Sequence, residues 1–278
     1  MIIDTHSHLN FKAFEKDLDE VVKRSFSEEV WMINVGSKYE TSKKAIKIAE
    51  QYPKGVYAAV GLHPIHVAGK IAGFKTDEEE GGFNVKGEVF DKERYRKLAL
   101  SEKVVAIGEA GLDYYYAPKN KEQMPLLKKE QEEALSEQLD LAEELDLPVI
   151  FHCRKAHNDL IELLKKRSLR GVIHCFTGKW SQAKEYLEMG FYLGFNGIIY
   201  KLNLEKTIEK TPLEKILIET DCPYLTPSQA KVSRNEPMFV KYVAEKIAEI
   251  KGVDYEEAAR IATENARSLF KIKESQIV

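Results

Sequence analysis

Short apolar segments rich in β-branched and aromatic residues recur along the whole chain, and charged segments with a helical period separate them. Continuous apolar runs of this length indicate buried strands, while apolar residues that return every three or four positions indicate amphipathic helices. Eight runs fit the strand pattern: residues 2–6, 30–36, 56–62, 104–112, 148–152, 171–176, 190–196 and 216–221. The clearest helical segments are residues 39–52, 126–145, 181–190 and 254–272.

Buried strands that alternate with helices indicate a parallel sheet covered by helices. Eight such units in 278 residues favour an α/β fold of the (β/α)8 TIM-barrel type over an open, doubly wound sheet. No G-x-G-x-x-G follows the first strand, which weakens a dinucleotide-binding interpretation. We therefore predict a single TIM-barrel domain over residues 1–278. An additional C-terminal helix, residues 254–272, is expected to close the barrel floor or pack against its flank.

One segment, residues 63–90, departs from the pattern. It contains several glycines and an acidic run, and it has no clear period. A loop of this length in a compact domain is usually functional or mobile. We expect either a solvated excursion or a lid over the functional site.

Composition narrows the classes of protein. Hydrophobic residues make up 44% and charged residues 31%, and no apolar run approaches the roughly 20 residues that span a bilayer. With no secretory signal evident and only three cysteines, we expect a cytoplasmic protein without a disulfide framework or a membrane association. A net charge of -3 argues against a protein that coats nucleic acid by bulk electrostatics, but it is compatible with a locally positive enzyme site.

Ionisable side chains gather at the C-terminal ends of the predicted strands, where TIM barrels place their functional residues. In the first run, Asp4, His6 and His8 share one strand face, so the two imidazoles can bind one cation. The other candidates end later runs or lie late in them: His63, Glu109, His152, His174 and Asp221. Each of these could singly be an ordinary polar residue or a helix cap. Because a carboxylate among apolar neighbours is costly to bury without a cation or donor, together they predict a metal centre.

Motifs along nearly the whole chain resemble those of the TatD family of metal-dependent deoxyribonucleases, within the amidohydrolase-like barrels. They are IDTHSHL at 3–9, AAVGLHP at 58–64, AIGEAGLDYY at 106–115, PVIFHCR at 148–154, GVIHCFTG at 171–178, ETDCPYL at 219–225, RNEP at 234–237 and ENARSLF at 264–270. The resemblance implies two divalent ions per chain and six ligands: His6, His8 and Asp221 for one ion, His152 and His174 for the other, and Glu109 as a bridge between them. Such ligands suit zinc, manganese, nickel, cobalt or iron better than magnesium.

The implied activity is hydrolysis of phosphodiester bonds in DNA through a two-metal-activated hydroxide. Two divalent ions with only two ligating carboxylates, Glu109 and Asp221, leave a positive site that suits an anionic phosphodiester. Asp221 is expected to accept the proton of the attacking water. Glu219, two residues earlier on the same strand face, is expected to orient its neighbours from outside the ligand set.

Loops after the later strands carry basic and aromatic residues together, from DYYY at 113–116 to Arg234 after the eighth strand. This mixture predicts a groove for single-stranded DNA or strand ends, with phosphates against the cations and bases against the rings. His63 and Arg154 are the expected phosphate contacts. The sequence indicates no obligatory protein partner.

Two other interpretations stay open. An amidohydrolase-type enzyme that acts on a C–N or ester bond would share the barrel, although many such enzymes place a carbamylated lysine where this chain has Glu109. A barrel that binds metal without catalysis would be expected to lack some of the ligands, and none of the six is missing.

Overall fold

Eight parallel strands form one sheet whose spatial order follows the sequence in the computed structural model. The structure describes residues 1–67, 87–116, 118 and 120–273. The strands are β1 Ile2–Ser7, β2 Val30–Val35, β3 Val56–Val60, β4 Val104–Asp113, β5 Val149–Arg154, β6 Gly171–Ile173, β7 Tyr192–Phe195 and β8 Ile216–Ile218. Each strand pairs in parallel with the next one, which confirms the predicted TIM barrel.

The barrel closes between β1 and the chain that follows β8. A parallel bridge joins Ser7 to Cys222. On either side of it, the Asp221 amide donates to the His6 carbonyl at 2.8 Å, and the His8 amide donates to the Cys222 carbonyl at 2.9 Å. The closure therefore brings the two ends of the predicted metal site together.

Helices cover the outside of the barrel, and apolar side chains fill the space between helices and strands. Val21, Leu135, Leu160 and Tyr186 are fully buried in this layer. The helices are α1 Leu18–Ser27, α2 Tyr39–Glu50, α3 Pro64–Val67, α4 Lys92–Ala99, α5 Met124–Leu145, α6 His157–Leu164, α7 Trp180–Glu188, α8 Glu205–Lys210, α9 Val240–Lys251 and α10 Tyr255–Phe270. Among the helices of the described ranges, none has both the length and the apolar character needed to cross a bilayer.

A second apolar cluster occupies the barrel interior. Ile150, Val172 and Leu217 belong to it. Because successive strand residues face opposite sides, the residues two positions later, among them His152 and His174, extend from the same interior face. The apolar layer thus lies beneath the predicted site and positions it.

The C-terminal helix α10 closes the barrel floor. Its Ala266, Leu269 and Phe270 are buried and belong to the same cluster as the interior strand residues. The sequence left open whether this helix lies on the floor or on the flank. Its apolar stripe continues the interior core, so the floor is its position.

The two strands that precede His174 and Asp221 each end three residues earlier than the sequence predicts. β6 ends at Ile173 and β8 at Ile218, so that His174 and Asp221 lie just beyond the regular strands. Cys175 and Asp221 have positive φ angles of 45° and 58°. Extended strand conformation requires negative φ, so the chain turns at these residues.

The predicted loop over residues 63–90 is described only at its two ends. Residues 68–86 lie outside the described residues, and with them most of the proposed lid. At the described ends, the Glu88 amide donates to the His66 carbonyl at 2.8 Å.

Leu269→Ala should lower the free energy of unfolding by about 2–5 kcal/mol, because it leaves a cavity where α10 meets the barrel interior. Ser268→Ala, at the neighbouring exposed position, should change it by less than about 0.5 kcal/mol. Denaturant unfolding of both variants measures the difference. A loss below about 1 kcal/mol for Leu269→Ala would show that α10 does not close the core.

Candidate metal centre

Side chains on or just after six strands, β1, β3, β4, β5, β6 and β8, meet at the C-terminal mouth of the barrel. They line a cavity of about 490 Å³ together with Phe11, Ser37 and Tyr224. The sequence-predicted residues that the structure brings together here are His6, His8, His63, Glu109, His152, His174 and Asp221. His6, His8, Glu109 and His174 are at most 4% exposed, so their polar atoms face one another rather than solvent.

Glu109 lies between two groups of imidazoles. Its Oε1 is 2.7 Å from His152 Nδ1 and 3.0 Å from His174 Nε2. Its Oε2 faces the other way, 3.5 Å from His6 Nε2 and 3.9 Å from His8 Nε2. One carboxylate oxygen thus faces each group, as a bridging ligand requires.

His6, His8 and Asp221 form the first group. The two Nε2 atoms are 3.1 Å apart, and Asp221 Oδ1 lies 3.7 Å from His6 Nε2 and 3.4 Å from His8 Nε2. His8 Nδ1 is 2.9 Å from the Val35 carbonyl, which can only accept, so the Nδ1 of His8 carries the proton. Nε2 is therefore the ring nitrogen that faces Asp221.

His174 and His152 approach Glu109 from the opposite side. His174 Nδ1 lies 3.1 Å from Glu219 Oε1, while its Nε2 faces Glu109, so each ring nitrogen faces a carboxylate. Glu219 is held in turn by the Cys175 amide at 2.7 Å and by Asn196 Nδ2 at 3.0 Å. The structure therefore places Glu219 behind His174 as an orienting residue.

Asp113 contacts His152 and was missed by the sequence reasoning. Its Oδ2 is 3.2 Å from His152 Nε2, so both ring nitrogens of His152 face carboxylates. Asp113 ends β4, and the side-chain amide of Gln131 binds both the backbone N–H and the backbone carbonyl of Asp113. The sequence does offer one indication of a role for Asp113, because this residue lies at a strand end four residues after Glu109.

His63 also lies in the centre, but the hydrogen bond at its Nδ1 differs from the one at His8 Nδ1. The Ile65 amide donates to His63 Nδ1 at 3.1 Å, so the neutral ring carries its proton on Nε2. Burial and the nearby His152 lower the pKa of His63 to about 3, which keeps the ring neutral. His63 Nε2 lies 3.5 Å from Glu109 Oε1. In this tautomer His63 offers a hydrogen-bond donor to the cavity and no lone pair for a cation.

Asp4 lies beneath the metal centre and connects β1 to the segment that follows β8. Its carboxylate accepts from the Thr220 hydroxyl at 2.6 Å, from the Thr220 amide at 2.9 Å and from the His6 amide at 3.1 Å. It therefore supports the backbone of both ligand-bearing segments without facing the cavity.

Arg154 and Arg234 have different surroundings, although both were expected in the substrate groove. Arg154 lines the cavity and stacks on Tyr115, with its guanidinium carbon 3.5 Å from the ring centroid. Arg234 donates to Asp17 at 2.6 and 2.9 Å and to Glu236 at 2.9 Å. Two carboxylates hold Arg234 away from the described lining of the cavity, and its contact with substrate phosphates stays a prediction.

Charge compensation within the centre comes from histidines. Burial alone would raise the pKa of Glu109, but the surrounding imidazoles hold it well below its usual value. Burial would lower the pKa of His174 and His152, but neighbouring carboxylates raise it, well above the usual value for His174 and to about 9 for His152. In the part of the chain that the structure describes, no lysine or arginine forms an ion pair with Glu109 or Asp221.

This donor set fits divalent cations. Three groups of donor atoms lie within 4.8 Å of one another: His6, His8 and Asp221; His63, Glu109 and His152; and His6, His174 and Glu219. Imidazole nitrogens mixed with carboxylates suit zinc, manganese, iron, cobalt or nickel. Imidazole nitrogens and carboxylate oxygens face one another here, with no lysine or arginine of the described residues paired to Glu109 or Asp221, and a cation that displaces the imidazole protons would be stabilised by this arrangement.

Comparisons with known proteins identify a family and relatives that share nearly the whole chain. A family model described as TatD related DNase matches residues 3–271. An uncharacterized metal-dependent hydrolase, YabD of Bacillus subtilis, is 39% identical to the chain over 98% of this chain and 100% of the relative. The 3'-5' ssDNA/RNA exonuclease TatD of Salmonella typhimurium is 34% identical over 98% and 99%. Among solved structures, the TatD homologue YJJV from Escherichia coli has a TM-score of 0.80 at 28% identity and covers 98% of both chains.

Metal binding should release protons at neutral pH. The raised pKa values of His152 and His174 mean that both rings are protonated at about pH 7 in the metal-free protein, and a cation has to displace these protons. Calorimetric titration of chelator-treated protein with Mn²⁺, in buffers of different ionisation enthalpy, should show roughly one to two protons released per chain at about pH 7. The number should fall, and the affinity should rise, as pH increases through about 9. Proton release that is zero at neutral pH would contradict this assignment.

Proposed function

The chain belongs to the family of TatD related DNases, and from that premise we propose that it is a metal-dependent hydrolase that cleaves phosphodiester bonds in single-stranded DNA with two divalent ions. One observation carries the proposal: each oxygen of Glu109 faces a separate group of imidazoles. A bridging carboxylate is the feature that distinguishes a two-ion centre from a single-ion centre.

Six residues would hold the two ions: His6, His8 and Asp221 on one side, His152 and His174 on the other, and Glu109 between them. When bound, divalent ions lower the pKa of a water that attacks phosphorus, and they offset the negative charge of the transition state. The remaining steps depend on side chains of this chain.

Asp221 is the best-placed group to accept the proton of the attacking water. Its side chain is 16% exposed, whereas that of Glu109 is 5% exposed, so Asp221 reaches the open cavity. Hydrogen bonding to His8 and the charges of nearby imidazoles outweigh the effect of burial and hold the pKa of Asp221 below its usual value, so the carboxylate is ionised at neutral pH, as a proton acceptor must be. As the water oxygen bonds to phosphorus, the P–O bond to the leaving sugar oxygen breaks, and that oxygen then takes up a proton.

His63 and Arg154 suit the anionic substrate. His63 presents an Nε2 proton toward the cavity, and Arg154 lines its rim. Arg154 forms no ion pair with a carboxylate within the described ranges, so its positive charge is available to a phosphate. An amide or ester substrate would leave this guanidinium without a partner, which favours the phosphodiester.

Metal add-back tests the proposal. Chelator-treated protein should cleave a single-stranded DNA oligonucleotide only after Mn²⁺, Co²⁺, Ni²⁺ or Zn²⁺ is restored. Parallel assays with double-stranded DNA, single-stranded RNA, an amide and an ester define the substrate class. Metal-restored turnover of the amide or ester without cleavage of any nucleic acid would overturn the nuclease proposal.

Glu109→Gln should reduce oligonucleotide cleavage by more than about 100-fold and lower the metal content from two ions per chain toward one, because an amide is a poor bridge. Glu162→Gln, an exposed carboxylate on α6, is the matched control and should change neither quantity. Metal analysis and initial rates measure both. An unchanged metal content in Glu109→Gln would refute its bridging role.

A further inference from the structure

A second cavity of about 520 Å³ opens beside the metal centre. Arg154 lines both cavities, so they adjoin at this side chain. The loops after β4, β5 and β6 provide most of the lining, with Tyr115, Lys155, Thr177 and Lys179 among its residues. The volume lies within the range of about 300–1,000 Å³ that is typical of ligand sites.

The cavity carries a positive charge that other side chains leave uncompensated. Among the described residues, Asp159 is the one carboxylate in the lining, and Lys128 binds it at 2.7 Å. Arg154, Lys155 and Lys179 form no ion pair with any carboxylate of the described residues. Three unneutralised cations around one cavity, in a chain of net charge -3, favour an anionic ligand.

The junction between the two cavities carries a flat stacking surface. The Arg154 guanidinium lies 3.5 Å from the Tyr115 ring centroid, and Lys155 Nζ lies 4.8 Å from the same centroid. Tyr115 is 46% exposed. Arginine planes and aromatic rings are the surfaces on which unpaired bases stack. The ligand is therefore expected to carry a planar ring as well as negative charge.

The lining of the second cavity also contains neutral polar groups. Gln182 Nε2 donates to Asn158 Oδ1 at 2.9 Å, which joins the start of α6 to α7. His157, also in the lining, is neutral because burial lowers its pKa to about 4. A sugar with hydroxyl and ether oxygens would meet hydrogen-bonding partners here.

We propose that the second cavity binds the nucleotide next to the scissile phosphate in a single-stranded substrate. Lys155 and Lys179 bind the phosphate of that nucleotide, and its base stacks on the Arg154–Tyr115 pair. This inference rests on the proposed function, because the metal centre fixes where the scissile phosphate lies. Because of this subsite, we expect a higher kcat/KM for a substrate with two phosphodiester groups than for a substrate with one.

Binding to metal-free protein tests the subsite apart from catalysis. The anisotropy of a fluorescently labelled six-nucleotide DNA is measured against chelator-treated protein over a series of salt concentrations. Each lost phosphate contact to a single strand reduces the slope of log affinity against log salt by about 0.7. Because Lys155 and Lys179 bind the same phosphate, Lys155→Ala/Lys179→Ala should reduce the slope by about 0.7. Lys184→Ala, on α7 but outside the cavity, should leave it unchanged.

Substrate length provides the second measurement. The metal-loaded wild type should cleave a trinucleotide at a kcat/KM at least about fivefold above that of a dinucleotide, since an added stacked base contributes binding. The double lysine variant should lose most of this advantage, and Lys184→Ala should keep it. A salt slope and a length preference that do not change in the double variant would overturn the subsite. If the metal-loaded wild type cleaves neither substrate, the proposed function is overturned instead. If the metal-free wild type does not bind the oligonucleotide, the subsite alone is overturned.

Discussion

The structure of the mouth depends on the burial of negative charge with no basic side chain to neutralise it. Glu109 is 4% exposed at the centre of the barrel mouth. Burial of an ionised carboxylate is costly unless positive charge lies beside it. In the described part of the chain, its ion-pair partners are all histidines. Their positive charge comes from protons in the metal-free protein, and a divalent ion provides it without requiring protonated rings.

The barrel is built so that these groups cannot separate. β1 and the chain after β8 are joined by backbone hydrogen bonds at His6 and Asp221, and Asp4 ties the same segments through Thr220. On the opposite side, His152 and His174 extend from the interior face above a layer that includes Ile150 and Val172. The rigid core therefore fixes both groups of ligands, while the loops that follow the strands present Arg154 and the second cavity to solvent.

Much of this was predictable from the sequence, because it follows from periodicity. The alternation of strands and helices predicted the barrel, the two-residue period of strands placed His6 with His8, and position at a strand end placed His174 with the other ligands. The missed features depend on side-chain conformation and distant partners. Arg234 is neutralised by Asp17, more than two hundred residues earlier, and no local pattern reveals this. The proton position in His63 depends on one backbone amide, and the contact of Asp113 with His152 depends on where β4 ends.

We propose that Glu109 bridges two metal ions, and anomalous diffraction can locate these ions relative to its carboxylate. Crystals grown with Mn²⁺ or Zn²⁺ and measured on both sides of the metal absorption edge should show two anomalous peaks per chain. The peaks should lie about 3.5–4 Å apart, one on each side of the Glu109 carboxylate. A single peak that Glu109 does not contact, or two peaks both on one side of it, would contradict the account.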